Sequence, residues 1–405
     1  MKNRLLILVS LVFFALTGNA QSLQDYLNEA EANSLELEAK TFRYESALEK
    51  INEVGSLPNT KFSAAYFIQE PETRVGAQKA KLSALQTMPW FGTLSAKKES
   101  EAFKAEALQN EIDFYKRQLF LEVKKVYFQL YELQVREGIL NENISILNTY
   151  EKLALNELEN NRSTMVDVLK IQIEKNELNN KLKTVIETRK AKKIVFNLLL
   201  NKSEDAVIMI PDVLLIEDNL LFTKESISQN PKLLQYDNIQ NSLLKSEEAT
   251  RKEGMPMLGF GLDYVFVEDR PVANLGDNGK DIIMPMVSVS VPLFSKKYSS
   301  KRKQLQLEQK AIESTKTDAT NKLYSLFETS LSNLKNARET IKTQEANMIQ
   351  ADQANKVLLT AYQTAKLDFE QILEVQQLKL KFQLKKVEAK KSYLTQLAIL
   401  VFLTN

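Results

Sequence analysis

Two stretches of the chain alternate between large apolar side chains and small or polar ones. In residues 257–266 one side carries Leu258, Phe260, Leu262, Tyr264 and Phe266, and the other carries Met257, Gly259, Gly261, Asp263 and Val265. Residues 283–291 repeat the pattern, with Ile283, Pro285, Val287, Val289 and Val291 alternating with Met284, Met286, Ser288 and Ser290. A period of two predicts strands whose faces meet different surroundings, and about ten residues let a tilted strand cross a bilayer. Taken alone, the pattern favours a hairpin of a soluble sandwich, whereas the rest of the chain favours lipid on one face and water on the other.

Long segments without Gly or Pro lie on both sides of these strands. Between residues 93 and 210 only Gly138 interrupts, and neither residue type occurs after Leu293. Apolar residues recur in heptads here. One row is Leu119, Val126, Leu133, Leu140, Leu147 and Ala154, and a second, interrupted by Glu137 and Glu151, is Val123, Leu130, Ile144 and Leu158. In the later segment the row is Leu305, Ile312, Ala319 and Leu326, and it resumes after an eight-residue step at Leu334, Ile341 and Met348. This spacing predicts long helices in coiled-coil packing. A helix from about residue 95 to 160 would reach roughly 100 Å and needs partners along its length, which predicts a bundle or tube.

The chain also repeats itself with a period of about 200 residues. Residues 55–58 (GSLP) and 254–256 (GMP) both lead into alternating runs, and Val168-Leu169-x-x-Gln172 matches Ile372-Leu373-x-x-Gln376. Each half, 21–200 and 201–405, is therefore predicted as helix, strand, strand, long helix and return helix. The predicted segments are strands at about 60–69, 80–91, 256–267 and 282–293, and helical turns at about 159–167 and 362–370. Ser163 and Asp368 are the predicted N-caps of the return helices.

The first twenty residues have the composition of a secretory signal peptide. A basic start is followed by an apolar run from Leu5 to Leu16 and by Gly18-Asn19-Ala20, which predicts cleavage before Gln21. The formal net charge is +2, and it falls to zero without Lys2 and Arg4, so nothing suggests a nucleic-acid partner. The chain contains no His and no Cys. The usual imidazole and thiolate metal ligands are therefore absent, as are the usual nucleophile–base pairs, and we predict neither an enzyme nor a cofactor or metal site.

This layout resembles the TolC-like outer membrane factors, the outer membrane efflux protein family. The resemblance is carried by Val291-Pro292-Leu293-Phe294 before a long helix, by Asn230-Pro231-x-Leu233, and by Ala361-Tyr362…Leu373…Gln376. Ala365 stands where the family usually has Gly. Residues 86–92 (QTMPWFG) resemble the heavy-metal efflux, CusC/CzcC-like branch.

The resemblance implies a mainly α fold with a membrane β-barrel. In it, long antiparallel helical hairpins form a periplasmic α-barrel, and each subunit of a homotrimer contributes four strands to a shared twelve-stranded barrel. Elementary physics agrees, because four strands leave edges that lipid does not tolerate. Two copies would give an eight-stranded barrel, and side chains fill the interior of a barrel of that size. Three copies would give a twelve-stranded barrel, which leaves room for water.

Two sets of residues are candidates for function. Those predicted to line the barrel lumen are Gly259, Gly261, Asp263, Ser288 and Ser290. Those predicted to form a gate and an adaptor-docking surface at the two helical turns are Arg162, Asp167, Lys366, Asp368 and Glu370. We hypothesise that Asp167 or Asp368, paired with Arg162 or Lys366, holds a closed state. Thioethers bind soft metals, but Met255 and Met257 should lie far from Met284 and Met286, which favours ordinary packing.

The predicted function is a passive outer-membrane conduit that extends into the periplasm as part of a tripartite efflux system. The resemblance implies a periplasmic adaptor (membrane fusion) protein and an inner-membrane pump as partners, and we favour a pump of the resistance-nodulation-division class. One alternative is a type I secretion channel with an ATP-driven partner. Another is a soluble periplasmic coiled-coil adaptor or scaffold, which would share the heptads but not the membrane-length strands.

Overall fold

The computed structural model describes residues 22–160, 163–216, 221–271, 276–363 and 369–405. The predicted signal peptide, residues 1–20, lies outside these ranges. Within them the chain is mainly helical, with one small sheet. The helices are α1 Leu23–Asn33, α2 Leu35–Gly55, α3 Thr93–Glu159, α4 Met165–Leu199, α5 Pro231–Glu253, α6 Lys297–Gln363 and α7 Phe369–Thr404, and a 3-10 helix covers Lys224–Gln229. The strands are β1 Lys61–Tyr66, β2 Glu72–Thr73, β3 Gly76–Met88, β4 Met257–Glu268 and β5 Ile282–Ser290.

The helices α3 and α6 each run for 67 residues, because no proline interrupts either of them. At 1.5 Å per residue each is about 100 Å long. None of the described helices is apolar enough over a sufficient length to span a membrane.

The strands form one antiparallel sheet in the order β1-β3-β4-β5, with the two-residue β2 beside β3. Its central pair joins β3 to β4, two strands that are separated along the sequence by α3, α4, the 3-10 helix and α5. At the start of β3, Gly76 has φ 137, and a Cβ there would lie 1.8 Å from the carbonyl oxygen of Glu268. Only glycine fits this turn without displacing the backbone of β4.

The described residues divide into two compact units. Of the described residues, one unit comprises those up to Leu37, together with Phe114–Asn230 and Asn321–Asn405, and the other comprises Glu38–Asp113 and Pro231–Thr320. The sheet belongs wholly to the second unit. The first unit contains two apolar clusters, one around Tyr26, Tyr127 and Phe196 and one around Tyr150 and Phe369.

The heptad rows of α3 contribute to these two clusters. Leu119, Val123 and Leu130 are buried in the first, and Leu140 and Leu147 are buried in the second.

In α6 the buried stripe departs from the predicted row. Leu326 is exposed, while its neighbours Leu323, Phe327 and Ser330 are buried. An α-helix has 3.6 residues per turn, so positions spaced strictly seven apart drift slowly around its surface. Here the aromatic ring of Phe327 is buried in place of Leu326.

The N-cap of α4 is Thr164, and not Ser163 as predicted. The backbone N–H of Asp167 donates to the Thr164 hydroxyl at 3.3 Å, and the Thr164 backbone N–H donates to the Asp167 carboxylate at 3.0 Å. This reciprocal pair is a capping box, which satisfies two donors that the first turn of the helix would leave unpaired. The other predicted cap, Asp368, lies outside the described residues.

Candidate functional site

All five predicted lumen residues lie on the same face of the sheet. Gly259 pairs with Ser288 in the β4–β5 register, and the register sets Ser290 beside Met257. Residues two apart on a strand share a face, so Gly261 and Asp263 lie on this face as well. We call this side of the sheet the polar face.

An ion pair occupies the centre of the polar face. The Lys81 ammonium of β3 contacts the Asp263 carboxylate of β4, and Asp263 is only 5% exposed. The second carboxylate oxygen of Asp263 has no hydrogen-bond partner. The negative charge of Asp263, a predicted lumen residue, is therefore neutralised by Lys81 of the same chain.

The two glycines of the polar face are covered by neighbouring side chains. A Cβ on Gly259 would lie 2.3 Å from the Ser288 hydroxyl, and one on Gly261 would lie 2.9 Å from the Met286 methyl. Leu85 of β3 approaches both glycines, at 3.3 and 3.2 Å from those Cβ positions. The glycines thus give room to Leu85, Met286 and Ser288, and the space above them is filled.

The methionines do not form a cluster along the sheet. Met257 is paired with Ser290 near one end of β4, whereas Met284 is paired with Asp263 further along. Among the described residues no group of three or more His, Cys, Asp or Glu side chains is arranged to hold a metal ion.

The opposite face of the sheet is apolar and uncovered. We call it the apolar face, and its exposed members are Phe62, Tyr66, Leu82, Met88, Phe260, Leu262, Phe266, Ile283, Val287 and Val289. Phe62 is 80% exposed and Val287 is 69% exposed, although such side chains are normally buried. A continuous exposed apolar surface of this kind marks a contact with lipid or with another protein.

Residues near the ends of α3 and α6 and near the starts of α4 and α7 pack against one another in the first unit. The Phe369 ring contacts Tyr150 and Tyr362 edge-to-face, with ring centroids 5.6 and 5.4 Å apart. Val168 and Ile372 are buried around these rings. We call this group of five residues the turn cluster.

Of the five predicted gate residues, the structure describes Asp167 and Glu370, and Arg162, Lys366 and Asp368 lie outside the described residues. Burial raises the pKa of Asp167, but hydrogen bonds from Thr164 and Ser163 outweigh it and leave the pKa below its usual value. Asp167 is therefore an ionised member of its own helix cap.

Glu370 is paired across the two hairpins with Lys170, a residue that the sequence analysis did not single out. The Lys170 ammonium lies 2.8 Å from the Glu370 carboxylate, and this contact raises the pKa of Lys170. One turn further along α4 and two turns further along α7, the Gln377 amide donates to Glu174 at 3.0 Å. These contacts join α4 to α7 beside the turn cluster.

A buried set of amides near the turn cluster was also missed. Gln376 donates to Asn143 at 2.8 Å, Asn143 donates to Gln383 at 3.0 Å, and Asn355 donates to Gln376 at 3.1 Å. Asn355 also donates to the Tyr150 hydroxyl at 3.1 Å. The repeated motif ending in Gln172 and Gln376 was the one signal that pointed to this network.

Comparison with known proteins shows where this fold occurs. No family model matches the chain, and no curated protein matches it in sequence. Among solved structures it is similar to the outer membrane protein VceC of Vibrio cholerae, with a TM-score of 0.76 and 14% identity over 95% of this chain and 96% of that one. It is similar to CusC, whose structures concern folding and transmembrane channel formation, with a TM-score of 0.77 and 11% identity over 95% of this chain and 92% of that one.

A third similar structure is the open state of the MtrE outer membrane channel of Neisseria gonorrhoeae, with a TM-score of 0.74 and 12% identity. That match covers 95% of this chain and 89% of MtrE. The similarity thus extends over almost the whole chain and includes both the helices and the sheet. The predicted resemblance is confirmed at the level of the fold: this chain has the fold of the TolC-like outer-membrane channels.

Proposed function

We propose that this protein is the outer-membrane channel of a tripartite efflux system, a passive conduit without chemistry of its own. The observation that supports this most is the sheet, which turns an uncovered apolar face outward and a face with an ion pair and small residues the other way. Lipid on one side and water on the other would satisfy both faces. The solved structures with this fold are outer-membrane channels, which points in the same direction.

The sheet also supports assembly into a homotrimer. Among the described strands, β1 and β5 form the two edges of the order β1-β3-β4-β5, and each has backbone groups that lipid would leave unpaired. Pairing of β5 with β1 of the next copy would close a barrel, and three copies of four strands leave a lumen for water.

The helix α2 gives an independent reason to expect more than one copy. It runs over 21 residues, and none of them is buried. Leu35 and Phe42 lie seven residues apart, on one side of α2, and both are exposed. A helix with an uncovered apolar stripe needs a partner, which a neighbouring copy in an α-barrel would supply.

An internal duplication is supported by equivalent hydrogen bonds in the two hairpins. Gln172 of α4 donates to Glu151 of α3, and Gln376 of α7 accepts from Asn355 of α6. Both pairs are separated by 21 residues. We infer that the halves 21–200 and 201–405 descend from one hairpin unit.

We also infer that residues 1–20 are a signal peptide that directs export.

The two helical turns are the proposed gate and the proposed docking surface for a periplasmic adaptor. Charged side chains at a constriction select permeants and hold an aperture through ion pairs. Arg162, Lys366 and Asp368 keep this proposed role, and Glu370 with Lys170 joins them. Because Asp167 caps its own helix, its removal would disturb the helix end as well as any gate. An inner-membrane pump, which we propose to be of the resistance-nodulation-division class, would supply the energy.

Two readouts test the proposal. The full-length protein should appear in the outer-membrane fraction, require detergent for extraction and run as a trimer. In a planar bilayer it should give discrete conductance steps, which rise when Glu370→Gln removes the pairing with Lys170. Recovery of a monomer from the soluble periplasmic fraction would favour the scaffold alternative instead. Unchanged conductance in Glu370→Gln would remove this pair from the gate but leave the channel intact.

A further inference from the structure

The amide network of the first unit joins helices from both hairpins. We define it as Asn143 of α3, Asn355 of α6, and Gln376 and Gln383 of α7. Asn143, Gln376 and Gln383 are 1%, 3% and 8% exposed, and they lie among buried leucines and isoleucines. Buried amides without partners destabilise a protein, so a set that is connected in this way constrains where its helices can sit.

The two glutamines of α7 hold Asn143 from both sides. The Gln376 side-chain amide donates to Oδ1 of Asn143, while Nδ2 of Asn143 donates to the side-chain oxygen of Gln383. The glutamines are seven residues apart, or about two helical turns, and so lie on the same side of α7. If α7 moved along α3 by one turn, Asn143 would lose both glutamines at once and keep only its hydrogen bond to the Ile139 backbone carbonyl within α3.

Apolar contacts in the same cluster do not resist such a movement as strongly. Leucine and isoleucine side chains can repack against one another in several registers at a modest cost, whereas an amide must find a specific partner. A single buried asparagine is known to select the register of coiled coils for this reason, at some expense of stability.

We propose that the amide network sets the register of the second hairpin against the first, and so positions the two turns that we assign to the gate. Its members are positioning residues. Their significance for gating rests on the proposed function, but the register itself is a property of the folded chain. The experiment therefore measures register directly and does not depend on channel activity.

The Lys170–Glu370 contact provides a reporter that lies outside the network. Because the chain contains no cysteine, paired cysteines can be introduced without a background. Lys170→Cys with Glu370→Cys reports the native register. Lys170→Cys with Gln377→Cys reports a displaced one, since Gln377 contacts Glu174 on the next turn of α4. A short bifunctional thiol reagent applied to purified protein in detergent gives the ratio of the two cross-linking yields.

The ratio is compared in the parent chain and in a variant that carries Asn143→Leu, Asn355→Leu, Gln376→Met and Gln383→Met. These replacements keep side-chain size and remove every amide together. Both chains also carry Tyr150→Phe, because the Tyr150 hydroxyl would otherwise be left without its partner Asn355 in the variant. We expect this variant to keep its Tm while the native-to-displaced ratio falls severalfold. The control is Gln235→Leu, which removes a buried amide of the other unit and should leave the ratio unchanged.

An unchanged ratio in the quadruple variant would overturn the proposal. If that variant does not fold, Gln376→Met alone decides the matter, because Gln376 bridges α3 and α6 and its loss should lower the ratio by itself. A fall in Tm together with a constant ratio, in either variant, would mean that the network only stabilises the bundle. Absence of conductance in the parent chain would contradict the proposed function, but it would not change the cross-linking ratio from which the register is judged.

Discussion

The sheet and the turn cluster arrange apolar and polar side chains in opposite ways. On the sheet the large apolar residues, such as Phe62 and Val287, are outside and exposed, while the Lys81–Asp263 pair is turned away from them. In the turn cluster the aromatic rings are inside, and charges such as Lys170 and Glu370 are exposed. The difference is the one expected if the sheet meets lipid and the helices meet water, as the proposed function requires. Burial within a single copy is thus a good guide to the core of the helices and a poor guide to the core of the sheet.

The largest effect should come from the turn cluster. Phe369→Ala should lower the free energy of unfolding by about 3–5 kcal/mol, because it removes a buried ring with two aromatic neighbours and leaves a cavity. Thermal unfolding of the purified protein measures this. Leu378→Ala, an exposed position on the same helix, should have little effect; an equal loss in both variants would mean that the cluster is not a core.

The sheet should respond to charge according to which face receives it. Val287→Lys places a charge on the apolar face and should destabilise the membrane-inserted form by about 2–4 kcal/mol, if that residue lies near the bilayer centre. Ser290→Lys, at an exposed position of the same strand on the polar face, should be tolerated. Outer-membrane yield of folded protein is the measurement. Equal tolerance at both positions would contradict a lipid-facing surface.

A smaller effect is expected at the start of α4. Thr164→Ala should lower the free energy of unfolding by about 0.5–2 kcal/mol, because it removes the hydroxyl that accepts from Asp167. Ser163→Ala is the comparison variant: Ser163 is not the N-cap, and its loss removes only a hydrogen bond to the Asp167 carboxylate, so it should cost less than Thr164→Ala. A greater loss from Ser163→Ala would show that the helix begins one residue earlier than in the structure. Chemical denaturation of the two variants side by side measures the difference.

The two hairpins should also differ in their response to acid. Hydrogen bonds from Lys175 and Gln172 lower the pKa of Glu151, whereas the equivalent residue of the second hairpin, Asn355, does not titrate. A carboxyl whose pKa is lower in the folded chain stabilises it above the unfolded pKa and loses that contribution as the pH falls through the folded pKa. Glu151→Gln should therefore flatten the loss of Tm between about pH 5 and pH 3. Identical acid profiles for the parent and Glu151→Gln would contradict this role.

The N-cap of α4 shows that part of the candidate site could have been read correctly from sequence. A hydroxyl three residues before an acidic residue is the capping-box pattern, and Thr164 with Asp167 fits it while Ser163 does not. The Lys170–Glu370 pair was less accessible, because it joins residues 200 positions apart that share no motif. Nothing in the composition of either helix distinguishes this lysine from the other lysines around it.

The sequence by itself determined the elements and the separation of their faces. Alternation with period two, heptad spacing and the absence of Gly and Pro are local properties. Each depends only on residues that are close together in the sequence. Tertiary structure alone decided that β3 pairs with β4, that Leu85 covers two glycines, and that Asn143 meets Gln383 across 240 residues. Such contacts depend on how whole helices and strands pack, and many registers satisfy the same local pattern until the side chains interlock.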